Sequence, residues 1–329
     1  MKLLKFTKKG IYCPQGNFYI DPWSAVEKAV ITHGHSDHAK AGHKFYLCSE
    51  DSKPILKHRL GIDNCQTLEY GESIFMNGVK LSLHPAGHIL GSAQVRLEFQ
   101  GDVWVVTGDY KTENDGISTG FELVKCNKLI TESTFGLPVY KWTHQSIIQT
   151  EINSWWKQNQ DNGKVSILCG YALGKAQRLI SLLDPEIGTI YTHGAVDVMT
   201  RIYHECGVVL PETTYANPEL KKSDYKGSIV VCPPSAISGT WVRKFGNSSV
   251  AFASGWMAVR GSRRRRSADR GFALSDHADW KGLNDVVKDS GAEKVYVTHG
   301  YTDIYSRWLN EQGIDSKIVQ TEFEGEAEL

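Results

Sequence analysis

Short runs of apolar or alternating residues dominate the first part of the chain and predict β-strands. Strands are expected over residues 29–32, 79–83, 95–99 and 103–107. The last two runs flank Gln100-Gly101-Asp102, whose turn-forming residues predict a β-hairpin. The first part of the chain is therefore expected to be an α/β domain in which short strands dominate.

The pattern changes in the middle of the chain, where apolar residues recur at helical spacing. Helices are expected over residues 147–157 and 174–183, and strands over residues 165–169, 189–192, 228–232 and 250–253. This alternation is typical of an α/β layer with a largely parallel sheet. Residues 294–298 and 317–321 then return to strands around one helix. The pattern thus predicts an α/β domain interrupted by an α/β insertion.

Composition and charge narrow the class of protein. With 329 residues, 41% of them hydrophobic, the chain can bury one large core or two modest ones. Lys+Arg and Asp+Glu are 37 each, which argues against a globally basic protein but leaves room for a local basic cleft. The apolar runs are too short for a membrane span, and the N-terminus does not resemble a signal peptide. Seven scattered cysteines without a C-x-x-C pair predict reduced thiols and a cytoplasmic protein.

A dense group of metal-capable side chains follows the first predicted strand. Three imidazoles and one carboxylate fall within six positions: His33, His35, Asp37 and His38. A loop at the end of a strand can turn such side chains toward one centre, whereas a helix could not place His33 and His35 on one face. A chance histidine cluster on a surface loop is the alternative.

Three further candidate ligands follow apolar runs in the same way. They are His88, Asp109 and His299, and each stands beside a glycine that permits a tight turn. Recurrence of the same arrangement at four predicted strand ends favours one metal centre over a chance cluster.

These residues carry a resemblance to the metallo-β-lactamase superfamily, whose ligand set is H-x-H-x-D-H followed by a distant His, Asp and His. The resemblance implies that His33, His35 and His88 hold one metal ion. It implies that Asp37, His38 and His299 hold the other, and that Asp109 bridges the two. Asp21 matches the family's first motif, a carboxylate that supports the ligand loop.

Two divalent ions are the cofactors that this ligand set implies. Such a pair lowers the pKa of a bridging water and stabilises charge that develops on the attacked oxygen. Imidazole and carboxylate ligands without thiolate suit Zn²⁺ and also accept Mn²⁺, so both metals remain open. Asp37 and Asp109 therefore count as catalytic as well as metal-binding residues.

Glu132, His277 and His299 are similar in order and spacing to motifs A, B and C of the β-CASP nucleases. That group includes Artemis-like DNA nucleases, RNase J and the pre-mRNA cleavage endonuclease. The resemblance implies an αββα metallo-β-lactamase sandwich over residues 1–136 and 274–329, with an inserted α/β β-CASP domain over 137–273. It makes His277 the general acid that protonates the leaving oxygen, with Glu132 as its partner.

Three segments of the insertion are candidate substrate contacts. Gly174 and Lys175 open a predicted helix whose N-terminus could receive a phosphate, and plain structural use is equally compatible. The segment with Ser235 and Ser238 could supply hydroxyl donors, or form only a tight turn. A run of five arginines in seven positions is expected to bind phosphates beside the cleft, with a solvated face or a localisation signal as the alternatives; it includes Arg260, Arg263 and Arg264.

Aromatic residues and one further histidine complete the set of candidates. Trp256 and Trp280 could stack on bases, whereas Trp155 and Trp156 on a predicted helix are expected in the core. His193 repeats the Thr-His-Gly context of two ligands but lies in the insertion, so a structural or cleft-lining role is expected.

Residues 252–257, the arginine run and residues 269–280 are similar to the bacterial DNA-ligase-associated exonucleases. This likeness implies a 5′-to-3′ DNA exonuclease in DNA repair, acting on a free 5′ end. It also implies a functional link to a DNA ligase, a helicase and a phosphoesterase of the same repair system. The histidine of motif C is typical of RNA-acting members, so an RNA-directed exo- or endoribonuclease is the alternative. A non-catalytic scaffold subunit and a small-molecule hydrolase are further alternatives.

Overall fold

The first and last parts of the chain together form one structural unit with two β-sheets. The structure, a computed structural model, describes residues 2–259 and 268–319. The chain divides into a sandwich unit, Met1–Lys141 with His277–Leu329, and an insertion unit, Trp142–Asp276. The resemblance to the β-CASP nucleases implied an insertion over residues 137–273.

The first sheet of the sandwich unit has six strands that neighbour one another in chain order. They are β1 (Lys5–Thr7), β2 (Gly10–Cys13), β3 (Phe18–Ile20), β4 (Lys28–Val30), β5 (Phe45–Ser49) and β6 (Cys65–Leu68). Strands β1 to β3 are antiparallel, and β3 to β6 are parallel.

The second sheet has seven strands. They are β7 (Ser73–Met76), β8 (Val79–Pro85), β9 (Ala93–Phe99), β10 (Asp102–Val106), β11 (Lys128–Ser133), β18 (Lys294–Gly300) and β19 (Asp315–Ile318). Their spatial order is β19-β18-β11-β10-β9-β8-β7. Strands β10, β11 and β18 are parallel, and β8 runs in the same direction because β8 and β10 are both antiparallel to β9. The carboxyl ends of these four strands therefore meet at one edge of this sheet, together with that of β19, which is parallel to β18.

Apolar side chains between the two sheets form the main core of the sandwich unit. Successive residues of a strand point to opposite faces, so β8 sends Leu81 and Leu83 into this core. They pack with residues of both sheets, among them Val30 and Trp104. Burial of these side chains stabilises the sheet pair by removing apolar area from water.

Helices cover the outer faces of both sheets. Helix α1 (Ser52–Leu60) packs Leu56 against Ile31 and Tyr46 of the first sheet. Helices α5 (Trp280–Ser290) and α6 (Thr302–Glu311) pack Leu283 and Tyr305 against the second sheet. The layers are thus helix, sheet, sheet and helix, and the predicted αββα sandwich is confirmed.

The insertion unit contains a six-stranded parallel sheet, as the sequence pattern predicted. Its strands are β12 (Val165–Cys169), β13 (Ile190–Thr192), β14 (Thr214–Tyr215), β15 (Ile229–Cys232), β16 (Ser248–Ala253) and β17 (Arg270–Phe272), in the order β14-β13-β15-β12-β16-β17. Its α-helices in the described residues are α2 (Gln145–Asp161), α3 (Lys175–Ser181) and α4 (Gly194–Glu205). Short 3₁₀ turns occur at Lys222–Tyr225, Pro234–Ala236, Thr240–Phe245 and Gly255–Ala258.

The last strand begins earlier than its sequence pattern predicts. The prediction placed it at 317–321, whereas β19 is Asp315–Ile318, and residues 320–329 lie outside the described residues. Ser316 is buried in this strand and shares a 2.9 Å hydrogen bond with Ser306. Apolar runs do not reveal the start of this strand, because its buried residue is polar.

Candidate metal centre and acid pair

The candidate site lies at the edge of the second sheet where four strands end. His88 follows β8 and Asp109 follows β10, whereas Glu132 and His299 stand at the ends of β11 and β18. The loop with the remaining ligands follows β4 of the first sheet. The backbone N–H of Ala93 donates to the carbonyl of Thr32 at 2.8 Å, which ties the start of this loop to the second sheet.

Glycines shape the turns that carry two of the candidate ligands. Gly87 and Gly108 have φ of +72° and +57°, in the left-handed region that favours glycine. A Cβ at Gly87 would stand 2.4 Å from the carbonyl oxygen of Lys111, and one at Gly108 would stand 2.8 Å from Thr32. These positions require glycine both for backbone conformation and for space.

Four side chains converge in a first group: His33, His35, His88 and Asp109. The Nε2 atom of His88 lies 3.0 Å from His35 Nδ1, and His33 Nε2 lies 3.6 Å from Asp109 Oδ2. Ligand atoms about 2.1 Å from one tetrahedral Zn²⁺ are roughly 3.4 Å apart. The spacing within the group therefore fits a single metal ion.

Asp37, His38 and His299 form a second group on the other side of Asp109. The Nε2 atom of His38 lies 3.8 Å from Asp37 Oδ2 and 3.4 Å from Asp109 Oδ1. Asp109 thus directs Oδ2 to the first group and Oδ1 to the second. A carboxylate in this position can bridge two ions, as the sequence resemblance implies.

Buried polar atoms at this centre test whether a metal pair fits. Within the described residues, His33 Nε2, His38 Nε2 and Asp109 Oδ1 have no hydrogen-bond partner, although each is buried. Buried polar atoms are normally satisfied by a hydrogen bond. Cations coordinated by these atoms would satisfy them, so the residues present fit two divalent ions.

Asp21 supports the ligand loop through three hydrogen bonds. It accepts from the Thr32 backbone N–H at 2.8 Å and from the Thr32 hydroxyl at 2.6 Å. Its Oδ2 also lies 2.7 Å from His38 Nδ1. A proton on Nδ1 donated to Asp21 leaves the lone pair of Nε2 available to a metal, which is a common arrangement of ligating histidines.

Burial and neighbouring charges set the protonation of the metal-free centre. Burial lowers the pKa of His38, but the carboxylates of Asp109 and Asp37 outweigh burial and hold that pKa well above its ordinary value. Burial and the adjacent His38 hold the pKa of His33 well below its ordinary value. Burial would raise the pKa of Asp109, but His38 overrides it and holds that pKa well below the usual range. At neutral pH the metal-free centre therefore has a charged His38 beside an ionised Asp109, with Nε2 and Oδ1 3.4 Å apart but not in hydrogen-bond geometry, and a neutral His33.

A buried histidine–glutamate pair lies beside the two ligand groups. His277 Nδ1 lies 3.0 and 2.9 Å from the two carboxylate oxygens of Glu132, and both residues are 1% exposed. The Tyr110 backbone N–H donates to Glu132 Oε1 at 2.7 Å and fixes the carboxylate. The His277 ring centroid lies 4.6 Å from that of His88, so the pair adjoins the first ligand group.

Arg59 of α1 contacts the ligand loop, and the sequence patterns did not predict this contact. Its guanidinium donates to the backbone carbonyl of Gly34, between two candidate ligands. Burial lowers the pKa of Arg59, and the nearby Asp37 carboxylate offsets only part of this effect. A single arginine in a surface helix has no motif around it, so only the tertiary structure reveals this contact.

The predicted substrate contacts of the insertion occupy different environments. Lys175 is 2% exposed and pairs with Asp276 at 2.8 Å, and Gly174 has φ of +87° immediately before α3. Ser235 and Ser238 are exposed, and the Ser238 hydroxyl donates to the Ser235 carbonyl at 3.2 Å. Phosphate binding by these residues stays a prediction. The remaining candidates lie outside the described residues: Arg260, Arg263 and Arg264.

The remaining aromatic candidates are mainly structural. Trp155 and Trp156 are core residues, as predicted, and Trp256 is also buried, so it is not an exposed base-stacking platform. Trp280 is partly exposed and packs on Trp308, with ring centroids 5.3 Å apart. His193 caps α4 by accepting from the Ala195 backbone N–H at 3.1 Å, which is a structural role.

Comparisons with known proteins connect the chain to nucleases and to one ligase. A probable DNA ligase of Opitutus terrae is 29% identical over 313 residues, which are 94% of this chain and 30% of that protein. An RNase J-like protein of Methanocaldococcus jannaschii is 25% identical over 60% of this chain and 53% of that protein. Endoribonuclease YSH1 of Saccharomyces cerevisiae is 32% identical over 37% of this chain and 16% of that protein. The chain thus spans about a third of the first relative and about half of the second.

A solved structure has a similar fold. The crystal structure of a protein of unknown function from Enterococcus faecalis V583 covers 90% of this chain and 79% of its own, with a TM-score of 0.59. Its sequence is 12% identical, so this likeness shows the fold alone. No family model matches the chain. In the part of the chain that the structure describes, every helix is too short or too polar to cross a membrane.

The ligand motifs, the layered fold and the named relatives lead to one assignment. The resemblance that the sequence carried was to a group that includes RNase J and the pre-mRNA cleavage endonuclease, and relatives with such names match the chain. The sandwich with an α/β insertion is the architecture that this resemblance implied. The chain is therefore similar to the β-CASP proteins of the metallo-β-lactamase superfamily in its ligand motifs, its layered fold and its named relatives.

Proposed function

We propose that this protein is a two-metal-dependent phosphodiesterase that acts as a 5′-to-3′ DNA exonuclease in DNA repair. The observation that carries the proposal is the position of Asp109 between two ligand groups, beside the His277–Glu132 pair. Two metal ions clamp the oxygens of a phosphodiester, and a neighbouring acid can protonate its leaving oxygen. Both requirements are met by side chains of the sandwich unit.

Seven side chains would hold the metals, either Zn²⁺ or Mn²⁺: His33, His35, Asp37, His38, His88, Asp109 and His299. When bound, such ions act as Lewis acids and make water a stronger nucleophile at neutral pH. Asp21 orients His38 and keeps its Nε2 directed away from the supporting carboxylate. Asp109 is buried, and its two oxygens lie 3.6 Å from His33 and 3.4 Å from His38, so it would contact both ions.

His277 holds the proton that the leaving oxygen requires. Its Nδ1–H donates to Glu132, which stabilises a positive charge on the ring while Nε2 carries the transferable proton. Glu132 is held by the Tyr110 backbone N–H, so the imidazole keeps one orientation. Donation from Nε2 returns the ring to the neutral form, and water restores the proton after product release.

The choice of DNA is supported by the relative named a probable DNA ligase. The chain matches 30% of that protein, so a region like this one belongs to the same polypeptide as the rest of it. A nuclease that trims 5′ ends prepares strands that a ligase joins. We therefore propose DNA with a free 5′ end as the substrate, and a DNA ligase, a helicase and a phosphoesterase as functional partners. The cytoplasmic setting expected from the free cysteines belongs to the same proposal.

An RNA substrate is the second candidate. Two kinds of named relative favour it, an RNase J-like protein and the YSH1 endoribonucleases. His299 at motif C is also the residue typical of RNA-acting members. The same metal and acid geometry would serve either nucleic acid, since both reactions cleave a phosphodiester.

Digestion of matched DNA and RNA strands tests the proposal. The substrates are a 5′-phosphorylated single-stranded DNA and an RNA of the same sequence, each incubated with Mn²⁺ or Zn²⁺ and the purified protein. Mononucleotides released in order from the 5′ end of DNA are expected, and chelator should stop their release. Faster loss of RNA would establish the second candidate. Intact strands of both kinds, with metal bound, would leave a scaffold or a small-molecule hydrolase.

A further inference from the structure

Two buried cations of α3 hold the segment that leads into His277. The segment is Leu274 to Asp276, and it belongs to the insertion unit together with α3. His277 is the next residue along the chain and belongs to the sandwich unit. The contacts of these cations are therefore internal to the insertion, and the link to His277 is a peptide bond.

Lys175 makes the first two contacts. Its Nζ donates to the Leu274 carbonyl at 3.1 Å and pairs with Asp276 Oδ2 at 2.8 Å. The side chain is 2% exposed. An ammonium with these partners and this burial binds groups of the protein itself, whereas a phosphate-binding lysine needs an ammonium that the phosphate can reach.

Arg178, one helical turn later, completes the set. Its Nη1 donates to the Ser275 carbonyl and lies 3.1 Å from Asp276 Oδ1. Its Nε donates to Gln145 Oε1 at 2.7 Å, which fixes the plane of the guanidinium. Arg178 is 3% exposed. The planar fork of arginine suits this combined recognition of a carbonyl and a carboxylate.

Each of the three residues before His277 is thus held by α3. Leu274 and Ser275 are held through their carbonyls, and Asp276 is held through both carboxylate oxygens. Burying charged groups carries a desolvation cost even when they are paired, so such an arrangement is often no more stable than an apolar one of similar size. Such a cost is consistent with a need to place this particular segment accurately.

We infer that Lys175 and Arg178 are positioning residues for His277, an inference that rests on the proposed function. The Nδ1 atom of His277 has to stay within about 3 Å of Glu132 to keep its proton on the correct nitrogen. Movement of the preceding backbone moves the imidazole with it. A displacement of about 1 Å at a catalytic group can cost on the order of a hundredfold in rate.

Leaving-group dependence separates this role from phosphate binding. An ordinary DNA phosphodiester needs a proton on its leaving oxygen, whereas a nitrophenyl ester of thymidine phosphate expels nitrophenolate without one. For Lys175→Met and Arg178→Met, kcat on a short DNA is expected to fall roughly tenfold to a hundredfold. KM, bound metal and turnover of the nitrophenyl ester should stay within about twofold. Arg178→Lys, which keeps the charge, should recover part of the loss.

His277→Ala and Lys157→Met are the reference variants. His277→Ala should show the same dependence on the leaving group, more strongly, and Lys157→Met on the exposed face of α2 should behave as the parent. A raised KM on DNA with kcat kept would overturn the inference in favour of phosphate binding. Equal losses on both substrates would overturn it in favour of a general structural role.

Failure of the proposed function gives a different pattern. If His277→Ala affects both substrates alike, His277 is not the acid, and the positioning role falls with it. If His277→Ala behaves as expected but the α3 variants match the parent, only the positioning role is wrong. Should a methionine variant fail to fold, Asp276→Asn carries the same comparison, because the amide keeps the size of the side chain and removes the charge with which both cations pair.

Discussion

Asp109 is the residue on which the proposed two-metal arrangement depends most. It is 4% exposed, and its oxygens face different ligand groups at 3.6 Å from His33 and 3.4 Å from His38. Its pKa is held well below the usual range, because His38 outweighs burial. The carboxylate is therefore ionised at every pH at which the protein is expected to work, and it is available to two cations at once.

Asp109→Asn is expected to abolish hydrolysis and to lower the bound metal from two equivalents. The amide keeps the size of the side chain but loses the charge and one of its two acceptor atoms. Metal analysis of the purified variant and a DNA digestion measure the two effects. Asp63→Asn, at an exposed ion pair with Lys57, is the matched control and should keep both. Full turnover by Asp109→Asn would show that Asp109 is not a bridging ligand.

The raised pKa of His38 predicts a pH dependence of metal binding. Its folded pKa is above the unfolded value, so the proton stabilises the metal-free protein below the unfolded pKa, and this contribution is lost as pH rises through the folded pKa. A metal needs Nε2 without its proton, so binding has to release that proton. Affinity should therefore rise with pH across neutrality.

Titration calorimetry of the metal-free protein with Zn²⁺ in buffers of different ionisation enthalpy measures both the affinity and the protons released. Asp21→Asn should weaken the pH dependence, because it removes the carboxylate that lies 2.7 Å from His38 Nδ1 and raises the pKa of His38. Affinity independent of pH, with no proton release, would contradict the protonation state assigned to His38.

At the scale of elements, the sequence was most informative where a strand ends in a ligand. The apolar runs before His88, Asp109 and His299 predicted strands that the structure contains as β8, β10 and β18. The turn at Gln100-Gly101 joins β9 to β10, as predicted. Both turn residues have positive φ, and Phe99 pairs with Asp102 where the two strands of the hairpin begin. Local patterns were sufficient there, since burial and turn geometry act over a few residues.

Contacts between distant elements were beyond the sequence patterns. Arg59 in α1 reaches Gly34, and Lys175 at the start of α3 is buried against Asp276. Both outcomes depend on which elements pack together, and the periodicity of a single element does not contain that information. The order and spacing of the candidate ligands carried the family resemblance, whereas the partners of individual cations needed the structure.

Gly87→Ala is expected to misplace His88 and weaken metal binding. Gly116 offers a matched control, because both glycines have positive φ, but a Cβ at Gly116 meets nothing within 4 Å. Alanine in the left-handed region costs about 1–2 kcal/mol at either site. At Gly87 the Cβ also stands 2.4 Å from the Lys111 carbonyl oxygen, so the turn has to move. The melting temperatures and Zn²⁺ affinities of the two variants separate the effect of moving the turn at Gly87 from the cost of a left-handed alanine. Equal losses in both variants would contradict the expected displacement of His88.

Across the whole molecule, the candidate site is assembled from segments far apart in the chain. Glu132 and His277 are 145 residues apart in sequence, and His33 and His299 lie near opposite ends of the described chain. All of them nevertheless belong to the sandwich unit, because the chain leaves that unit at Lys141 and returns to it at His277. The insertion therefore contributes none of the proposed metal ligands.

This division predicts where bound metal stabilises the protein. Ligand binding stabilises the folded state by about 3–4 kcal/mol at 100 to 1,000 times the dissociation constant. Because every proposed ligand is in the sandwich unit, Zn²⁺ should slow amide hydrogen exchange in β8, β10, β11 and β18. Exchange in β12 and β15 of the insertion should change much less, and it provides an internal control. Hydrogen-exchange mass spectrometry with and without chelator measures this contrast. Equal protection of both units would mean either that the metal binds elsewhere or that the two units unfold as one. Melting of the Asp109→Asn variant with Zn²⁺ decides between these two explanations. If the metal binds elsewhere, Zn²⁺ still stabilises the variant; if the units unfold as one, that stabilisation is lost.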